Sequence, residues 1–130
     1  MKTEIKSYKD LHVWQEAMEL VALTYKIAKK LPQSEKFAMV QQMTRAAVSV
    51  PANIAEGHGS SHRKVFLNHL SISKGSLMEL ETYILLTEKL EFLGAQQIQD
   101  VQKQSQVVGR LLNGLILAGP PNMRFSHLSW

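Results

Sequence analysis

Five histidines, a cluster of serines and one glycine-flanked turn are the places where this sequence could do chemistry. His58 and His62 stand four apart, a spacing that lets two imidazoles share a metal on one helix face. His58 lies between Gly57 and Gly59, however, where a helix is expected to fail, and His12, His69 and His127 are scattered, with no third ligand beside the pair. A solvated turn is the preferred reading, and no metal site is assigned. Cysteine is absent, which excludes thiolate catalysis, disulfides and Cys-based zinc sites. Di-metal carboxylate bundles need Glu-x-x-His pairs projecting inward, and the chain has none. Gly57-His58-Gly59 is too short and wrongly placed to cradle phosphates. Ser71 to Gly75 holds no general base beside a serine. No catalytic residue and no cofactor emerge, and the expectation is a protein without enzymatic activity.

Binding chemistry is more visible. Gln42, Arg45, Ser49, Asn53 and Glu56 fall on one helical stripe beside an apolar seam. Arg45 and Glu56 are eleven residues apart, about 16 Å along a helix, so each must find its partner elsewhere. The stripe reads first as structural, bonding neighbouring helices or subunits and fixing their register. A polar contact strip for a partner is the alternative. Ser71, Ser73, Gly75 and Ser76 are weak helix formers inside an otherwise strong helix. Small residues there would let another helix approach closely, with a ligand notch as the second reading. The charge is uneven: residues 1–75 hold eleven Lys/Arg against six acids, residues 76–130 four against five, for a net +4. Such an excess tolerates an anionic partner such as RNA, DNA or an acidic protein without demanding one.

The elements that must position these residues are helices. Leu31-Pro32-Gln33-Ser34, Gly57-His58-Gly59-Ser60, Gly94 and Gly119-Pro120-Pro121 punctuate the chain, and proline and glycine in such places are stop signals. Between them apolar residues recur every three or four positions, with no alternation of period two. The spacing predicts helices over about 8–30, 34–57, 61–93 and 95–118 and an irregular tail over 119–130. In the first, Leu11, Trp14, Met18, Val21, Tyr25 and Ala28 form one row, with Val13, Ala17, Leu20, Ile27 and Leu31 beside it. Ser7, three before Asp10, offers a capping box. In the second, Val40, Met43, Ala47, Val50 and Ile54 keep their phase across Pro51, which predicts one kinked helix rather than two. Phe66, Leu70, Leu77, Leu80 and Ile84 mark the third seam and Ile98, Val101, Val108, Leu112 and Leu115 the fourth.

Four such helices with short loops imply an all-α, antiparallel up-down-up-down four-helix bundle forming a single domain. Helices one and three carry more apolar surface than one seam uses, so either a broad internal face or a subunit contact is implied. That topology gathers Lys2, Lys6, Lys9, His58, His62, Arg63, Lys64, Arg124 and His127 at one end. Lys6, Lys9, His62, Arg63 and Lys64 are the candidate phosphate contacts there. A solvated loop end diluted by Glu4, Asp10 and Glu56 is the competing reading. For base stacking only Tyr8 and Phe125 are at hand. No run approaches the roughly 18 apolar residues of a membrane span, and Met1 to Asp10 does not read as a secretory signal. The expected location is the cytoplasm, which the absence of cysteine suits.

Three stretches carry a resemblance: Ser7-Tyr8-Lys9-Asp10-Leu11-His12-Val13-Trp14-Gln15, then Gln42 to Gly57 (Gln-Met-Thr-Arg-Ala-Ala-Val-Ser-Val-Pro-Ala-Asn-Ile-Ala-Glu-Gly), then Gly75-Ser76-Leu77-Met78-Glu79-Leu80-Glu81. Over about residues 7–118 the chain resembles the bacterial four-helix bundle proteins encoded in intervening sequences of 23S ribosomal RNA genes. The resemblance implies a ring-like homopentamer with no assigned enzymatic activity. A related protein, the accessory variability factor of diversity-generating retroelements, is a basic pentamer that binds reverse transcriptase and nucleic acid. The pattern covers Arg45, Asn53 and Glu56 but brings no chemistry for them, and it stops before the 120–130 tail. Two functions follow as expectations. One is an oligomeric RNA- or DNA-binding accessory protein linked to such intervening sequences or to a reverse transcriptase. The other is a protein-interaction scaffold with no nucleic-acid affinity.

Overall fold

Helix accounts for most of residues 5–118, the part of the chain that the computed structural model describes. The elements are α1 (His12–Ala28), α2 (Met39–His58), α3 (Arg63–Lys89) and α4 (Ala95–Ala118), and no strand occurs among the described residues. The all-helical, four-helix fold expected from the apolar spacing is thus present, while the 119–130 tail lies outside the described residues. α1 packs against α2 and α4, and so does α3. Ser49 meets Ser76, Val50 meets Ser73 and Asn53 meets His69, so numbering falls along α3 as it rises along α2.

Burial selects among the rows that the sequence offers. On α1 the core takes Val13, Ala17, Leu20, Thr24 and Ile27. The row containing Trp14 enters the core only at its ends, Leu11 and Ala28: Trp14 and Val21 are half-buried, and Met18 and Tyr25 are 45% and 46% exposed. Both rows are apolar and adjacent, and the closed face goes to the one lying between α2 and α4. Met43, Ala47, Val50 and Ile54 of α2, the five-residue seam of α3 from Phe66 to Ile84, and Ile98, Val101, Val108 and Leu112 of α4 are all buried as their spacing predicts. Leu115 is half-buried. The four buried polar residues among the described ones have partners, as a dry interior requires. Thr24 and Thr87 donate to carbonyls of their own helices, Ser73 donates to the Val50 carbonyl across the α2–α3 contact, and Ser105 donates to Glu81.

The ends differ from the sequence reading for local reasons. Ser7 and Asp10 do form a capping box, but it closes a separate 3-10 turn, Tyr8–Asp10, so α1 begins at His12 rather than near 8. Gln33–Glu35 form a turn of their own after Pro32, and α2 starts at Met39 rather than 34. From there it runs unbroken across Pro51. α3 ends at Lys89 because Glu91 adopts a left-handed φ of 63°, and the N–H groups of Phe92 and Leu93 fold back to the Thr87 carbonyl at 2.9 and 3.1 Å. Gly94 follows that turn instead of making it, and its N–H donates to the Gln97 side chain.

Gly57 has a role opposite to the expected one. It does not stop α2 but lies inside it, fully enclosed. A Cβ there would stand 2.7 Å from His69 Cβ and 3.0 Å from Phe66 Cδ1. The missing side chain is therefore what lets α2 and α3 close. Gly57→Ala should destabilise the bundle by about 1–3 kcal/mol in chemical denaturation, since backbone or ring must yield. Gly59→Ala, at a right-handed φ of −68° with its nearest new contact at 3.4 Å, should change stability far less. Glu91→Gly should raise stability by about 0.5–1 kcal/mol, because glycine reaches the left-handed region without a Cβ penalty.

Candidate nucleic-acid interface

The candidate phosphate contacts are held by two separate pieces of chain. Lys6 precedes the Tyr8–Asp10 turn and Lys9 lies within it, and the turn packs on α1 and α2. Its shape is set by hydrogen bonds: the N–H groups of Lys6 and Ser7 donate to Asp10 Oδ2 at 2.9 and 3.1 Å, and the Lys9 N–H donates to Ser7 Oγ at 3.2 Å. Tyr8 is spent internally, its ring edge-on to Trp14 at 5.3 Å, and Lys9 Nζ stands 6.0 Å from the same ring. His62, Arg63 and Lys64 open α3, His62 as the residue before its first turn. Lys6, Lys9, His62 and Lys64 are exposed, and Arg63 is half-buried. Lys64 shares the outer face of α3 with Val65, Asn68 and Ser71. The cations thus gather at one end of the bundle without forming one flat patch. Lys2, Arg124, His127 and Phe125 lie outside the described residues.

His58 joins the two pieces. It ends α2, lies close enough to Asp10 to feel its charge, and meets Phe66 edge-on at 6.1 Å. Burial pushes its pKa below the ordinary 6.5, against the opposing pull of Asp10. At neutral pH it adds no cation to this end. Asp10 stays ionised below the usual carboxylate range, first because of the Lys6 and Ser7 N–H bonds and then because of the nearby cations. All four described histidines, His12, His58, His62 and His69, lie at this end, with His12 Nε2 3.9 Å from Glu16. Among the described residues no group of three His, Asp or Glu side chains is placed to hold a metal.

The polar stripe of α2 divides in two. Ser49 and Asn53 are half-buried against α3, whereas Gln42, Arg45 and Glu56 are exposed. Asn53 Nδ2 donates to the Ser49 carbonyl at 2.9 Å and to Ser49 Oγ at 3.0 Å. A carbonyl only accepts, so the amide is oriented and Asn53 Oδ1 faces His69 Nδ1 at 3.0 Å. His69 Nδ1 must then carry a proton and donate it to Asn53 Oδ1. Ser49 Oγ, already an acceptor, is 2.8 Å from Ser76 Oγ, and Glu56 Oε2 is 3.9 Å from His69 Nδ1. The sequence reading missed His69 and placed Ser76 only as a small residue. The available signal was that His69, Ser73 and Ser76 step by four and three along one helical face, and Ser49 and Asn53 by four. Ser71 and Gly75, grouped with them by composition, are exposed, and Gly75 meets no neighbouring helix.

The profile of the 23S rRNA-intervening sequence protein family matches residues 9–114. The chain belongs to this family. A crystal structure from Bacteroides thetaiotaomicron, of a protein with unknown function from the S23 ribosomal protein family, superposes with a TM-score of 0.74 at 26% identity. The likeness covers 80% of this chain and 97% of that one. No curated protein matches the chain. Among the described residues no helix is long and apolar enough to cross a membrane.

The perturbed groups at this end, His58 and Asp10, give a pH test. A folded pKa below the unfolded one means that stability is present above the unfolded value and is lost as pH falls through the folded one. Thermal midpoints should therefore drop first as pH falls below about 6.5, through His58, and again in the carboxylate range, through Asp10. His58→Phe should remove the first step and leave the second, as followed by circular dichroism melts across the pH series.

Proposed function

We propose that the protein is a non-enzymatic, self-associating accessory protein that binds RNA or DNA, in connection with a ribosomal RNA intervening sequence or a reverse transcriptase. The observation that supports this most directly is the convergence of Lys6 and Lys9 with His62, Arg63 and Lys64 at one end of the bundle. Asp10, next to Lys9 in the chain, is engaged in backbone hydrogen bonds there. Cations presented this way suit phosphates, whose contacts carry affinity without reading sequence. Self-association is supported by apolar side chains left on the surface of single helices, among them Met18, Ile72, Met78 and Leu85, each 45–54% exposed. A pentamer is the assembly that the family resemblance implies. In a ring, different faces meet at each contact, and the basic end is repeated around one rim, so weak contacts add through multivalency.

The same exposed apolar side chains favour one other reading, a scaffold that binds proteins and has no affinity for nucleic acid. An anisotropy titration with labelled RNA and DNA at about 50 mM salt separates the two. The first reading expects sequence-independent binding that falls steeply with salt. Arg63→Glu combined with Lys64→Glu should weaken it for every sequence while helicity and assembly persist. Absence of binding by the assembled wild type would leave the scaffold. Light scattering at micromolar concentration should give a multiple of 14.7 kDa, and a monomer would refute self-association.

A further inference from the structure

The opposite end of the bundle, where α1 turns into α2, carries a different chemistry. A groove of about 300 Å³ opens there between the two helices. Its floor is apolar, made by Ala28, Leu31 and Val40, with the Tyr25 ring beside them. Thr44 also lines it, but its hydroxyl donates to the Val40 carbonyl at 2.8 Å, so little of its polarity is left over. Lys29 and Lys36 line the groove as well, and no carboxylate does. Neither lysine makes an ion pair among the described residues. Lys36 lies over the ring of Phe37, its ammonium 5.5 Å from the centroid. Phe37 is 82% exposed and Tyr25 46%. The neighbouring groove between α1 and α4 is an internal control: Lys26 and Lys30 line it together with Asp100, and no aromatic ring does.

Open aromatic faces beside ammonium groups without a carboxylate partner are the parts from which sequence-tolerant single-strand binding is built. Bases stack on the rings while backbone phosphates meet the cations. An acidic apolar peptide could use the same lysines, but a side-chain anchor gains most when enclosed, and Phe37 is almost wholly open. A stacking base needs such an open face. We propose that Tyr25, Lys29, Lys36 and Phe37 form a binding surface for single-stranded RNA or DNA. The inference rests on the nucleic-acid reading above but places this contact at the other end of the molecule. There it supplies the stacking that Tyr8, committed to Trp14, does not.

The test is fluorescence anisotropy of the full chain with a labelled oligouridylate of about twelve nucleotides, a length within the usual site size, and with a duplex of equal length. Phe37→Ala, and more strongly Tyr25→Ala with Phe37→Ala, should lower single-strand affinity about 5- to 100-fold and leave duplex affinity unchanged. Phe37→Trp should retain it, which a merely structural role would not require. Lys29→Glu with Lys36→Glu should also weaken it and flatten its salt dependence by roughly 0.7 in logarithmic slope per lysine. Both rings are surface groups, so circular dichroism should show every variant folded. Single-strand affinity untouched by the aromatic variants but lost on Arg63→Glu with Lys64→Glu would overturn this surface while leaving the nucleic-acid reading standing. No binding of either probe by the wild type would remove both. Binding of an acidic leucine–glutamate helical peptide in place of oligouridylate would overturn the proposal and make the groove a protein-docking site.

Discussion

The close approach of α2 and α3 governs the rest of the molecule. Two helices can come this near only where one lacks a side chain, and Gly57 provides that opening against His69 and Phe66. Along the same contact Ser73 reaches the Val50 carbonyl, and Ser49, Asn53, His69 and Ser76 form a continuous chain of hydrogen bonds. Apolar packing alone tolerates a shift of one helix past another. A line of polar groups that must all find partners does not, because a slip by one turn would bury donors and acceptors unpaired. Register here fixes where α3 begins and so where Arg63 and Lys64 stand relative to the Tyr8–Asp10 turn.

The fold was legible because apolar spacing is a property of the whole chain and survives local errors. Phase kept across Pro51 announced one helix, and the seams of α2, α3 and α4 read directly as core. Helix ends were less legible, since they depend on backbone conformations that composition only suggests. Glycine signals a break at 57 and 94, yet the chain turns at Glu91 and packs at Gly57. On α1 two apolar rows compete, and choosing between them needs the positions of α2 and α4, which a linear pattern does not contain. His69 escaped for a similar reason. Its role depends on Asn53 sixteen residues earlier, a pairing visible only once the antiparallel register is known.

The chemistry of the two ends was unequally legible. The basic cluster followed from topology, because loops at one end of a bundle are neighbours however the helices rotate. That His58 is withdrawn from it by burial did not follow, and neither did the use of Tyr8 as a partner for Trp14. Tyr25 belongs to an apolar row of α1 and so reads as core in the sequence, while Phe37 falls in no apolar row. Their openness is set by which face of α1 is closed and by a turn whose path no apolar period records.

The placement of the histidines has an electrical consequence. His12, His58, His62 and His69 sit where α1 begins, α2 ends and α3 begins, while Lys26, Lys29, Lys30, Lys36 and Lys89 stand toward the other pole. Burial lowers the pKa of His58, so the fixed positive charge of the first pole rests on Lys6, Lys9, Arg63 and Lys64. The two poles stand about one helix length apart, roughly 30 Å for the 20 residues of α2. A single polyanion engages both only if it spans that length.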